Sequence, residues 1–107
     1  MNFRWKEAVW LALDDCGDNP DTQGAYLNVQ EYRELTEFQR GMDSQKVMQR
    51  YKNTVRNILN IFRSEGIIEG SKENPELRYG YYNWIGVFAN KEKRRETRRK
   101  IEQGSYF

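Results

Sequence analysis

The sequence predicts a mainly α fold with a small β-hairpin: a three-helix core, the hairpin, and a basic C-terminal helix or arm. Three observations carry this expectation. Apolar residues recur at helical spacing in three separate stretches before Gly66. After Gly66 the pattern shortens to β-rich runs separated by turn formers. From Lys91 to Gln103 the chain is dense in charge, with Ile101 as its only large apolar residue. At 107 residues the length suits one domain, expected over 1–90, followed by a basic helix or tail over 91–107. Only 37 % of the residues are apolar, so the fifteen aromatic residues must fill much of the core.

The first helix is expected from Phe3 to Cys16, where Trp5, Val9, Ala12 and Cys16 form one core-facing stripe and Gly17 provides the stop. Residues 17–25 are turn formers or small polar residues and read as a loop. The second helix is expected from an Asn28 cap. Glu31 would complete a capping box, and Leu27 with Tyr32 would make a hydrophobic staple. Val29, Tyr32, Leu35 and Phe38 would be its buried stripe, with an end near Arg40-Gly41. A third helix is expected over 44–65, capped by Ser44 or Asp43. On a helical wheel Val47, Tyr51, Val55, Ile58 and Phe62 fall within about 80°. Ile67 to Ser71 and Arg78 to Ile85 then read as two strands joined by a loop too long for a tight turn.

Net charge of +2 hides a strong segregation. Residues 1–43 hold four basic and nine acidic side chains, whereas 44–64 hold five basic and none acidic. Residues 65–90 hold two basic and four acidic groups, and 91–107 seven basic and three acidic. Such asymmetry points to a polyanionic partner and to two segments that would meet it.

Catalysis finds little footing. Without histidine there is no imidazole acid–base group, no Ser–His or Cys–His pair and no conventional zinc site. Asp14, Asp15, Asp18 and Asp21 crowd one stretch but lack calcium-loop spacing. The chain therefore reads as a non-enzyme, with no cofactor and no metal expected. The lone cysteine, Cys16, fits a reducing compartment, and no apolar run approaches membrane-spanning length. With no signal-peptide pattern at Met1–Glu7, a cytoplasmic location is expected.

Helix, helix, Gly-containing turn, helix and hairpin is a winged helix-turn-helix order. The stretch from Tyr51 to Ile68 resembles the recognition-helix-to-wing segment of that family, and is similar to winged-helix domains appended to restriction endonucleases. The resemblance implies binding to double-stranded DNA as a transcriptional regulator or DNA-recognition module, with helix 44–65 in the major groove and the 67–85 hairpin as wing. Gln45, Lys46, Gln49, Arg50, Lys52, Asn53 and Arg56 are the residue types that read base edges or phosphates from such a helix. Lys72 and Arg78 would serve from the wing, and Arg94, Arg95, Arg98 and Arg99 along the phosphate backbone. Two other readings stand beside this one. One is a winged-helix protein-interaction module using the acidic N-terminal half or the aromatic hairpin. The other is an RNA or single-strand binder using Tyr79, Tyr81 and the basic tail. A homodimer or a protein partner is left open.

Overall fold

The computed structural model describes residues 3–42 and 48–104. Helix α1 (Trp5–Asp15) lies at its centre. The sequence pattern predicts one core-facing stripe, but Ala8 through Leu13 are all fully buried. An α-helix apolar on every side needs neighbours on every side. Here they are α2 (Thr22–Asn28), α4 (Arg50–Ser64) and α5 (Lys91–Glu102), all of which pack against α1.

The second helical region departs from expectation. Residues 17–25 are not all loop, because the Asp21 carboxylate accepts the Gly24 N–H at 2.5 Å and starts α2 at Thr22. Asn28 ends α2 and precedes a 3₁₀ turn without a side-chain cap bond, because its side-chain amide donates to the Ala12 carbonyl at 3.2 Å. The expected staple is absent, with Leu27 70 % exposed. A 3₁₀ turn over Val29–Glu31 follows, and a separate short helix, α3 (Glu37–Arg40), starts at a Thr36/Gln39 capping box. Two side chains that satisfy first-turn N–H groups thus decide where helices begin, against the apolar periodicity. Of the expected stripe, Val29 and Leu35 are buried while Phe38 is exposed.

Helix α4 buries Tyr51, Val55, Ile58 and Phe62 of the predicted face, and Leu59 beside them. It starts at Arg50, later than expected, with Gln49 extended before it. The predicted first turn, including Gln45, Lys46 and Val47, lies outside the described residues. Gly66, at φ +75°, ends the helix and turns the chain into the hairpin.

Strands β1 (Ile68–Glu69) and β2 (Asn83–Trp84) pair antiparallel, Ile68 opposite Trp84 and Glu69 opposite Asn83. Both are shorter than the predicted strands. Residues before β2 instead bind the entry to α2: Tyr81 bridges to Asp21, and Tyr82 N–H donates to the Pro20 carbonyl at 2.9 Å. Trp84 and Phe88 close on Trp10 with ring centroids 5.4 and 5.6 Å away, tying hairpin, 3₁₀ turn (Gly86–Ala89) and α1 into one core.

The basic segment expected as a helix or arm is α5, capped by the Asn90 side chain, which accepts from the Glu92 and Lys93 N–H groups. Arg94, Thr97 and Ile101 are buried on its inner face. Arg94 donates to the Phe88 carbonyl at 2.7 Å, bonds Asp18, and lies over the Trp84 ring at 5.4 Å. Arg94→Ala is expected to destabilise the fold by about 2–4 kcal/mol, because it strands a buried carbonyl and removes packing from Trp84. Arg99→Ala, at an exposed site, should stay within about 0.5 kcal/mol of wild type. Urea titrations of the two variants side by side check this contrast.

Candidate functional site

A cleft of about 430 Å³ opens between α4, the start of α2 and the hairpin loop. On the α4 side it is lined by Arg56, Asn60 and Arg63, which follow one another at spacings that keep them on one helix face. Lys52 precedes them by one further turn, its ammonium 5.3 Å from the Tyr26 ring centroid. Facing them, the hairpin loop presents Lys72 and the segment Tyr79–Tyr82. Thr22 and Tyr26 of α2 form the remaining side. Burial raises the Tyr26 pKa above the ordinary phenol value, so its hydroxyl is neutral across the physiological range.

Two anchors hold the hairpin loop in place. On one flank Arg63 forms a two-pronged pair with Glu73, Nε to Oε1 at 2.8 Å and Nη2 to Oε2 at 2.7 Å, while its Nη1 donates to Asn60. Glu73 also accepts the Gly70 N–H at 2.8 Å. On the other flank the Gly80 carbonyl accepts both the N–H and the hydroxyl of Thr22, at 2.8 and 3.2 Å. The Tyr82 hydroxyl meets Thr22 Oγ1 at 2.9 Å. Gly80 has φ +87°, a left-handed conformation that lets the chain present Tyr79 and Tyr81 on either side of a fixed turn.

The remaining sequence-predicted residues are placed unevenly. Gln49 precedes α4, and its side chain donates to the Arg40 carbonyl at 2.9 Å. Arg50 lies 4.1 Å over the Phe38 ring and donates to the Phe38 carbonyl, so it is turned toward α3. Lys52 and Asn53 are half-buried on α4 and Arg56 is exposed. Arg78 is exposed beside the Tyr81 ring, at 5.5 Å. On α5, Arg95 pairs with Glu92 at 2.9 Å and Arg99 is exposed. Arg98 bonds Asp14 and Asp15 at 2.9 Å each, along with Glu102 and the Tyr32 hydroxyl. Arg94 and Arg98 are thus engaged inside the fold, at the acidic end of α1, rather than displayed for a phosphate backbone.

No protein-family model, curated protein or solved structure matches this chain. Its functional reading therefore rests on the geometry of the cleft and the charges around it. Among the described residues, no helix is long and apolar enough to cross a membrane.

Sequence reasoning missed Arg63 and Tyr26 as members of the site. Arg63 was legible as the continuation of the Lys52, Arg56, Asn60 face. Tyr26 was not, because it fell in a stretch expected to be loop and helix entry.

The Arg63 pair holds the Glu73 carboxyl at about 2, against 4.5 for a free glutamate, chiefly through the Arg63 hydrogen bonds and then the Gly70 N–H. A carboxyl lowered in the folded state contributes stability that is complete above the unfolded value and fades as pH falls toward the folded one. The stability gap between wild type and Glu73→Gln should therefore be constant above pH 4.5 and close between there and about pH 2. Since the Glu73 side chain is 39 % exposed, the full gap is expected to stay below about 1 kcal/mol. Denaturation midpoints of both proteins across that range provide the check.

Proposed function

We propose that this chain is a double-stranded DNA-binding protein of winged-helix type, with α4 presented to the major groove and the hairpin loop as the wing. The observation that carries this is the distribution of cations once internal pairs are set aside. Lys52 and Arg56 on α4, and Lys72 and Arg78 on the hairpin loop, stand around the cleft. No acidic residue interrupts α4 from Arg50 to Ser64. A positive helix face next to a loop that carries Lys72 and Arg78 suits a polyanion whose phosphates run on both sides of a groove. Asn53, Asn60 and Arg56 add the side-chain types that pair with adenine and guanine edges.

The order of elements supports the same reading. Two helical regions precede α4, a hairpin follows it directly, and that hairpin is anchored back to the start of α2 through the Asp21–Tyr81 bridge. The tail contributes less than its composition suggests, because Arg94 and Arg98 pair with Asp14, Asp15 and Asp18. Those same pairs also neutralise part of the acidic N-terminal half, which weakens its case as a protein-docking surface.

Anisotropy titrations with a blunt random-sequence duplex, at about 50 and 200 mM salt, test the proposal. Affinity is expected to fall steeply with salt as counterions cease to be released. Arg56→Ala combined with Lys72→Ala should weaken binding and lower the salt slope by about one unit per lost phosphate contact. Arg95→Ala should have a smaller effect. A folded wild-type protein that fails to bind duplex at the lower salt would overturn the reading and turn attention to the exposed apolar residues Leu27, Phe38 and Val87.

A further inference from the structure

The cleft has a shape and a lining that a double helix alone does not use. At about 430 Å³ it falls among small-molecule pockets, which span about 300–1,000 Å³, and is far too small to admit a duplex. Its hairpin side is unusual in being both aromatic and rigid. Tyr79 is 83 % exposed and Tyr81 41 %, so neither ring is needed to fill the core. Yet the backbone between and beyond them is fixed by hydrogen bonds from Thr22 to Gly80, from Tyr81 to Arg78 and from Tyr82 to Pro20. The pinned backbone fixes where the two rings can reach, so only their side-chain rotation remains to be ordered on binding.

The opposite bank supplies charge and hydrogen-bonding edges. Arg56 faces the cleft from α4, Lys72 from the loop, and the Asn60 amide lies between Arg56 and Arg63 in chain order. The two nearby carboxylates are already engaged: Asp21 accepts the Gly24 N–H as helix cap, and Glu73 is held by Arg63. Flat aromatic faces, two cations and an amide within one small cleft match one chemical unit, a nucleobase joined to phosphate.

We propose that the cleft receives a single unpaired nucleotide of the DNA that α4 and the hairpin grip, so that duplexes ending in an unpaired strand are the preferred ligands. The base stacks on Tyr79 or Tyr81, and the adjoining phosphate lies between Arg56 and Lys72. This inference rests on the DNA-binding reading above and adds the form of DNA that is selected.

The test uses hairpin DNAs sharing one duplex: blunt, extended by three unpaired nucleotides at the 3′ or 5′ end, or extended by abasic residues. One of the base-bearing extensions is expected to bind about ten-fold tighter than the blunt hairpin, and the abasic extension to lose that gain. A 2-aminopurine at the first unpaired position should be quenched on binding. Tyr79→Ala combined with Tyr81→Ala should remove the gain and the quenching, lowering affinity for the extended hairpin about ten-fold more than for the blunt one. The conservative Tyr79→Phe and Tyr81→Phe pair should retain both. Equal affinity for blunt and extended hairpins would overturn the inference with duplex binding intact. Loss of binding to every DNA would overturn the duplex reading along with it.

Discussion

Asp14 and Asp15 occupy the last turn of α1, a helix that carries no basic residue there. Carboxylates at a helix C-terminus add negative charge where the macrodipole is already negative. Left alone they would loosen the end of the helix against which α2, α4 and α5 pack. Arg98 of α5 donates to both carboxylates and to the Tyr32 hydroxyl, while Tyr32 in turn donates to Asp15. Partial burial works against the Arg98 charge, but the hydrogen bonds with Asp14 and Tyr32 more than offset it and raise its pKa. Arg94, one turn earlier, closes the adjacent gap between Asp18, Phe88 and Trp84. The C-terminal helix is therefore part of the core's closure, and its arginines answer a charge conflict created some eighty residues earlier.

That internal settlement changes what the surface has to offer. The acidic N-terminal region and the basic C-terminal helix look, segment by segment, like two separate electrostatic signals. Folded together, several of their charges face each other at hydrogen-bonding distance, where screening by salt is weaker than between exposed groups. Charge on α4 and on the hairpin loop is different in kind. Among the described residues, only Arg63 there has an ion pair to a neighbouring element, and that pair fixes the loop beside the helix rather than neutralising the whole face. The basic face of α4 and a loop bearing Lys72 and Arg78 are thereby held beside one another, with tyrosine rings lining the cleft between them. Preorganisation of this sort matters because each flexible side chain ordered on binding costs about 0.5–1.5 kcal/mol.

Legibility of the sequence followed the physics of each element. The α4 core face, Tyr51, Val55, Ile58 and Phe62, was readable because an exposed-to-buried helix repeats its pattern every turn, and Gly66 marked its end. The span from Gly17 to Arg40 was misread because its local signals compete. Asn28 with Glu31 and Asp21 with Gly24 both offer plausible starts, and only packing against Ala12 and Cys16 selects the second. A Cβ at Gly24 would sit 2.4 Å from the Cys16 sulfur, so α2 approaches α1 closely at a glycine the sequence reading assigned to a loop. For the site, Lys52, Asn53, Arg56, Lys72 and Arg78 were identifiable from composition and order. Tyr26 was not, since it depends on the displaced start of α2, whereas Arg63 continues the same α4 face and could have been found there.

By itself, then, the sequence determined the helical periodicity of α1 and α4, the change to a hairpin after Gly66, and the charge segregation along the chain. These are properties of neighbours within a few residues, which turn geometry and side-chain spacing encode directly. Tertiary structure alone decided which capping side chain starts α2, how short the strands are, and which arginines remain at the surface. Each of those outcomes depends on partners far apart in sequence, Asp14 and Arg98 or Thr22 and Gly80, whose meeting is settled by how the helices enclose α1.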